Sequence, residues 1–256
     1  MDNSAIMATG AMAERLRRAG CVFAEEEAEV IAGAAADAVT RDRMVERRVR
    51  GEPLEQVVGF ADFAGVRVRL RPGVFVPRVR SELLVRLAAE GNPRVVVDLC
   101  CGSGALGLAV QRRRPGVELH AADLDANATG CARDNGIIHV YEGDLYDPLP
   151  HTLHGRVDVL LANVPYVATA HLPLLPAEAR EHEPSMALDG GADGLDIFRR
   201  VAGSAPKWLA AGGVLLSEIT EAQQKAALAA IRVSGLDGDV VYDEDLEARV
   251  ARARKG

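Results

Sequence analysis

No apolar run in this 256-residue chain approaches the ~18 residues needed to span a bilayer, which excludes a membrane-spanning helix. The opening stretch, MDNSAIMATGAMAERLRR, starts acidic and lacks a basic region followed by a long apolar one. No secretory leader is therefore expected, and the cytoplasm is the expected location. Cysteine is scarce. Cys21, Cys100, Cys101 and Cys131 form no C-x-x-C pair, and the adjacent Cys100 and Cys101 would make a poor disulfide, so small reduced thiols in the interior are expected. His151, His154, His171 and His182 have no Cys or acidic company at ligand spacing, which leaves them packing or solvent roles and no metal to hold. Internal repeats and low-complexity linkers are missing too.

What is there is a core-forming composition. Hydrophobic residues make up 48% of the chain and charged ones 26%, with mean hydropathy near zero. That is the composition of a soluble globular chain, with room for one large domain and a small appendage. The net charge of −7 is uneven: residues 41 to 86 carry eleven Arg against six Asp or Glu. Such a basic strip could meet an acidic partner or RNA. With 27 Arg against three Lys in the whole chain, a compositional habit is the preferred reading.

Residues 5 to 50 place Met12, Leu16, Val22, Ile31, Ala35 and Val39 at helix-like spacing, which predicts two or three short helices weakened or separated at Gly10, Gly20 and Gly33. Val66, Val68 and Leu70 then alternate with Arg67, Arg69 and Arg71, the period of a half-exposed strand in a hairpin. From about residue 81 helices and apolar strands alternate. SELLVRLAAE reads as a helix with Ser81 as its N-cap. The strands are VVVDL (95–99), VELHAAD (117–123), IIHVYEGD (137–144), VDVLLAN (157–163), GVLLSEI (213–219) and DVVYDEDL (239–246), and an ARVARAR segment closes the chain. The alternation predicts an α/β class: a doubly wound, mostly parallel sheet with helices on both faces. The expected layout is a helical N-terminal lobe over 1–55, a β-hairpin linker over 56–80 and a main domain over 81–256.

The stretch VVVDLCCGSGALG ends a strand in Asp98 and puts Gly102, Ser103 and Gly104 at the mouth of a helix, where backbone can approach a ligand closely. Ser103 has no His or acid pattern that would make it a nucleophile. Gly102, Gly104 and Gly107 satisfy G-x-G-x-x-G, so spacing alone leaves a dinucleotide open. Asp98 argues the other way, since an acid there would repel a pyrophosphate yet suit a cationic amino acid. Asp123, ending the next strand, can hold two ribose hydroxyls, and Asp144 after the third strand can accept from an adenine amino group. Three acids and no Lys or Arg in the loop favour S-adenosylmethionine.

Together with Asn163-Val164-Pro165-Tyr166, these motifs resemble the class I S-adenosylmethionine-dependent methyltransferases. More narrowly, the chain resembles the HemK/PrmC-type protein glutamine N5-methyltransferases, which modify the GGQ loop of translation release factors. RGEPLEQVVGFADFAGVRVRLRPGVFVPRVRSELLV (50–85) and HEPSMALDGGADGLDIFRRV (182–201) carry that narrower resemblance, which runs from about residue 47 almost to the end. The DLCCGSGALG and AREHEPSMALDGGADGLD wording is most similar to a PrmC-related paralogue group. The resemblance implies a seven-stranded Rossmann-like sheet and S-adenosylmethionine as cofactor, with S-adenosylhomocysteine as product and no metal. It implies a protein substrate of the release-factor kind and no membrane partner, while the acidic catalytic half argues against nucleic acid. It places catalysis on Asn163, Val164, Pro165 and Tyr166. Cofactor binding falls to Asp98, Cys100, Gly102, Ser103, Gly104, Asp123, Leu124, Asp144, Leu145 and Asn163. Glu183, Pro184 and Gly191, with Gly190, Asp193 and Gly194, are expected to shape the substrate pocket, and Pro77, Arg78 and Glu82 to line the cofactor cleft.

An amide nitrogen is a poor nucleophile because its lone pair is delocalised into the carbonyl. Transfer to it needs the NH2 held in line with the donor methyl and its lone pair freed. Two acceptors accomplish this, the Asn163 side-chain carbonyl and the residue 164 main-chain carbonyl, with Tyr166 packed on the planar amide. The family tetrapeptide is N-P-P-Y. Val164 keeps the carbonyl but gives up the fixed φ of proline, while Pro165 still pushes residue 164 toward extended geometry. The N-terminal lobe, which docks the release factor in the family, is shorter than usual here. Three rival readings stand beside protein glutamine methylation: a small-molecule N- or O-methyltransferase, a nucleic-acid amino methyltransferase, and a cofactor-binding regulator without turnover.

Overall fold

The computed structural model describes residues 3–256, with side chains from Thr9 onward. The N-terminal section is α1 (Asn3–Arg18), α2 (Ala24–Ala34), α3 (Ala38–Val49) and the single-turn α4 (Leu54–Val58). The first three bury Met12, Ala13, Leu16, Ala24, Ala28, Ile31 and Val45 as a small cluster of their own. Two of the residues at that helix-like spacing lie outside the cluster: Val22 is 84% exposed and Val39 60%. Val22 sits in the turn before α2 and Val39 in the first turn of α3, outside the stripe that faces the other helices. Gly20 ends α1 in the left-handed conformation, whereas Gly10 and Gly33 lie inside α1 and α2. A mid-helix glycine costs about 1 kcal/mol, and here tertiary packing carries both helices through it.

The hairpin is β1 (Phe60–Phe63) and β2 (Val66–Arg69), closed by Ala64 and Gly65, both at positive φ, as a type I′ turn requires. Val68 and Leu70 point inward and Arg67 and Arg69 outward. Ala61, Phe63, Val68 and Leu70 join the core of the main sheet, so the hairpin packs on that core and does not hang free.

That sheet is built from β3 (Val95–Leu99), β4 (Glu118–Asp123), β5 (His139–Glu142), β6 (Val157–Ala162), β7 (Leu209–Ile219), β8 (Asp237–Asp243) and β9 (Ala248–Arg254), in the order β5-β4-β3-β6-β7-β9-β8. The first five are parallel, and β9 runs antiparallel to both of its neighbours. The closing ARVARAR segment is thus a strand inserted between β7 and β8. β3 is buried at every position, as a central parallel strand covered on both faces must be. Helices α5 (Glu82–Ala88), α6 (Ala105–Arg113) and α7 (Ala126–Asp134) supply one face, while α9 (Asp196–Trp208) and α10 (Gln224–Val233) cover the other. The short α8 (Ala177–His182) lies in the long β6–α9 connection.

Ser81 does not cap α5: its side chain makes no capping bond and turns instead into the crevice described below. The basic strip is spent on internal pairs, since Arg47, Arg48, Arg67, Arg71, Arg78, Arg80 and Arg86 all meet carboxylates. Cys101 and Cys131 are buried, Cys21 and Cys100 half-buried, and all four are free. His151 stacks on His154, which meets Trp208 edge-on. Among the described residues no helix is long and apolar enough to cross a membrane.

Candidate active site

The strand order reverses between β3 and β6, and there Leu99 pairs with Ala122 on one side and Ala162 on the other. The loops leaving β3, β4 and β6 therefore open on one crevice, the place where open α/β sheets take ligands.

Its first side is made by main chain. After β3 the chain turns through Cys100, Gly102 and Gly104, all at positive φ, and enters α6. A Cβ at Gly104 would press on the tip of the Ile137 side chain and one at Gly102 would meet nothing, so at Gly102 only the left-handed backbone calls for glycine. Asp98 is fully buried beneath this turn. Its Oδ2 accepts the Gly107 N–H at 3.0 Å, and its Oδ1 is buried without a partner. Burial pushes this carboxyl up to about 8, the Gly107 bond opposing and the nearby Asp123 adding. Asp123 accepts from Gly102 N–H at 2.9 Å and Asp125 N–H at 3.0 Å, tying the glycine loop to the β4–α7 turn. Burial raises its carboxyl above the usual range against those two bonds. Ser103 is buried and Cys100 half-buried, with burial and Asp123 holding the Cys100 thiol protonated. Leu124 presents an apolar side chain 57% exposed beside Asp123, and Leu145 is buried at positive φ. Asp144 accepts from Arg200 of α9 at 2.6 Å. Glycine main chain, an orphaned buried acid and an uncoordinated apolar side chain fit a cationic nucleoside better than a phosphate.

The second side is made by side chains. Asn163 leaves β6 with its Nδ2 donating to Ser81 Oγ at 3.3 Å, and its Oδ1 is buried without a partner. Val164 is 2% exposed and packs into the core under α9 and α10. The Tyr166 hydroxyl donates to Glu218 Oε1 at 2.8 Å and accepts from Arg80, whose guanidinium also lies over the ring at 5.7 Å. Burial and Glu218 together push this phenol well up, so Tyr166 stays protonated.

Behind the tetrapeptide stands the β6–α9 connection. Val167 bridges Asp189, and the Gln223 Nε2 donates to the carbonyls of Tyr166 (2.8 Å) and Asp193 (3.0 Å). A Cβ on Gly190 would sit 2.6 Å from the Pro165 carbonyl, and one on Gly194 would collide with that of Tyr166. Gly190 and Gly194 thus let one backbone lie directly on another, while Gly191 makes room for the Asp196 side chain. Glu183 is 6% exposed, its Oε1 accepting from Arg78 at 2.6 Å and its Oε2 buried without a partner, with Pro184 half-buried beside it. Burial raises the Glu183 carboxyl and Arg78 opposes it. Pro77 and Glu82 are half-buried, and Arg78 meets Glu183, not the glycine loop.

Residues 65–176 match a family model described as the methyltransferase small domain. A release factor glutamine methyltransferase of Bradyrhizobium diazoefficiens is 32% identical over 95% of this chain and 92% of its own length. The chain belongs to this family of HemK/PrmC-type methyltransferases. A release factor glutamine methyltransferase of Geobacter sulfurreducens is 34% identical, the match spanning 72% of this chain and 66% of that relative. At 36% identity, over 75% of this chain and 69% of the relative, stands a 4-amino-L-phenylalanine/4-methylamino-L-phenylalanine methyltransferase of Streptomyces pristinaespiralis. A solved methyltransferase from Pyrococcus furiosus shares the fold with a TM-score of 0.57 at 14% identity, over 75% of this chain and 90% of that one.

This methyltransferase has three residues at its crevice that sequence reasoning passed over: Arg80, Glu218 and Gln223. Glu218 carried a readable signal. It is an acid at the end of the apolar run VLLSE, as Asp98 and Asp123 are at the ends of theirs. Ser81 was singled out for the wrong job.

Proposed function

We propose that the enzyme methylates the side-chain amide nitrogen of a protein glutamine, in a release factor, with S-adenosylmethionine as donor. The observation that carries this reading is the Asn163 carbonyl oxygen just past β6, which is buried and unpartnered while the amide nitrogen is held by Ser81. A buried acceptor without a donor costs about 1–3 kcal/mol, and an incoming NH2 relieves it. The Val164 main-chain carbonyl, which accepts no hydrogen bond among the described residues, is the second acceptor. Tyr166, locked by Glu218 and Arg80, supports the amide plane. Two acceptors on two N–H bonds turn the amide so that its lone pair faces the donor methyl, and the proton leaves after transfer.

When bound, S-adenosylmethionine supplies an electrophilic methyl on a cationic sulfonium and leaves as S-adenosylhomocysteine. The loop at Cys100, Gly102, Ser103 and Gly104 would lie against its amino-acid part, with the free Asp98 oxygen offered to the cation. Asp123 would hold the ribose, Leu124 and Leu145 the faces of the base, and Asp144 the exocyclic amine. Glu183, Pro184 and Gly191 belong to the wall of the acceptor pocket.

A second reading has one observation in its favour: a relative at 36% identity is named for an aromatic amino acid amine. Labelled S-adenosylmethionine separates the two. The enzyme is incubated with a purified bacterial release factor, total RNA, or 4-amino-L-phenylalanine. Label in the GGQ-bearing peptide is expected, and label only in the amino acid or the RNA overturns the proposal.

A further inference from the structure

Glu218 accepts from three donors at once. Its Oε1 takes the Tyr166 hydroxyl (2.8 Å) and the Arg80 Nε (2.7 Å), and its Oε2 takes the Ser81 hydroxyl (2.7 Å). It lies at the end of β7, only 4% exposed, and Ser81 is 2% exposed. A carboxylate accepts only, and a serine has one proton to give. Since the Ser81 proton goes to Glu218, Ser81 offers Asn163 nothing but lone pairs. The Asn163 carboxamide must then turn its NH2 toward Ser81, which it does at 3.3 Å. Its carbonyl oxygen is left as the free, buried acceptor.

We infer that Glu218 and Ser81 are positioning residues that set the polarity of the Asn163 carboxamide, so that its oxygen and not its nitrogen faces the methyl acceptor. The inference rests on the proposed role of Asn163. A reversed amide would present two donors to an incoming NH2, donor against donor, at the position where the lone pair has to be freed. The same carboxylate holds Tyr166 and Arg80, so one buried acid sets both the acceptor and the ring.

Glu218→Gln tests the polarity and not merely the bulk. Arg80 and Tyr166 both donate to Oε1, so the new amide keeps its oxygen there and turns its NH2 toward Ser81. Ser81 then accepts from residue 218 and sends its own proton to Asn163, which draws the carboxamide round. The readout independent of any acceptor is the 15N NMR signal of the Asn163 side chain. The NH2 proton given to Ser81 should be protected from exchange in the wild type and lose that protection in Glu218→Gln. Turnover on a purified release factor should fall on the order of 100-fold in Glu218→Gln and roughly 10-fold in Ser81→Ala, because misorientation is costlier than loosening. Ser81→Thr, which keeps the hydroxyl, should stay within about threefold, and the Kd for S-adenosylmethionine should be unchanged in all three within about threefold. An Asn163 signal in Glu218→Gln identical to wild type, or turnover in Glu218→Gln equal to wild type while Asn163→Ala is inactive, overturns the relay alone. Full turnover by Asn163→Ala overturns the underlying reading of the site.

Discussion

The two sides of the crevice are built by different means. On the cofactor side, Asp98, Gly102, Gly107, Asp123 and Asp125 bond to one another through main-chain N–H groups, over sequence separations of 2 to 21 residues. On the acceptor side, Asn163 and Tyr166 are held by Ser81, Arg80, Glu218 and Gln223, 52 to 86 residues away. One side is made by neighbouring stretches of chain folding on one another, the other by a meeting of three distant segments. The cofactor side hangs on two carboxylates that gather main-chain N–H groups, whereas the acceptor side needs several side chains from distant segments at once.

The largest expected effects split along that line. Asn163→Ala should lower turnover on a release factor by at least about 1000-fold, as loss of a transition-state contact does, with cofactor affinity within about threefold. Asp123→Ala should do the reverse. Removing the acceptor of two main-chain N–H groups weakens S-adenosylmethionine binding by about 100-fold, or roughly 2–3 kcal/mol. Calorimetry and steady-state kinetics on both variants check the split, and equal effects of both changes on both quantities would erase the distinction between the sides.

Glycine substitutions give the next effect. Gly194→Ala drives a methyl into the Tyr166 carbonyl, and neither backbone can step aside. A loss of about 2–4 kcal/mol is expected, with turnover falling as the tetrapeptide shifts. Gly102→Ala meets open space and carries only the left-handed strain of about 1–2 kcal/mol. Urea unfolding of the two variants at one pH is the measurement.

This difference also decides what could be read before any fold was known. A strand, a glycine turn, a helix and a terminal acid follow one another in the chain, so the parallel sheet and the places of Asp98 and Asp123 at its strand ends were legible. Hydrophobic period likewise gave the hairpin register, because each residue reports its own face. Ser81 was misread because its local context, a serine directly before Glu82 and an apolar helical run, fits a cap, and nothing nearby reveals the Glu218 carboxylate 137 positions on. The exposure of Val22 and Val39 was hidden for a similar reason. Apolar spacing marks a stripe, but only the packed neighbours say where the stripe ends.

The buried acid of the cofactor side gives a pH effect. The Asp98 carboxyl is raised to about 8 in the folded chain, against about 4 unfolded. Between those values the folded state keeps a proton that the unfolded state has released, so this group stabilises fully below about pH 4 and loses that contribution as pH rises through 8. Unfolding free energy should therefore fall by on the order of 1 kcal/mol per pH unit from pH 5 to 8 because of this residue, and Asp98→Asn should flatten that slope. A cation bound at the free oxygen favours the carboxylate, so S-adenosylmethionine should bind up to about 50-fold more tightly at pH 8 than at pH 6, and evenly in Asp98→Asn. A wild-type affinity that ignores pH over this range would remove Asp98 from the cofactor site.

The smallest effect is expected at Val164, the one place where the tetrapeptide differs from the N-P-P-Y that the resemblance implies. The reading asks only for the main-chain carbonyl of this residue, while the side chain belongs to the core with Leu160, Leu195 and Phe198. Its N–H makes no hydrogen bond among the described residues, so a proline there removes none, and Pro165 already biases residue 164 toward extended backbone. Val164→Pro should change turnover by less than about threefold and stability by less than about 1.5 kcal/mol, the range of a near volume-conserving core swap. Val164→Ala keeps the carbonyl and empties the pocket, so it should cost about 1–2 kcal/mol of stability with turnover little changed. If the proline variant instead gained tenfold or more in turnover, the valine would be limiting the reaction through the backbone it permits. The stiffness of residue 164, and not only the Glu218–Ser81–Asn163 relay, would then set how well the acceptor side holds an amide.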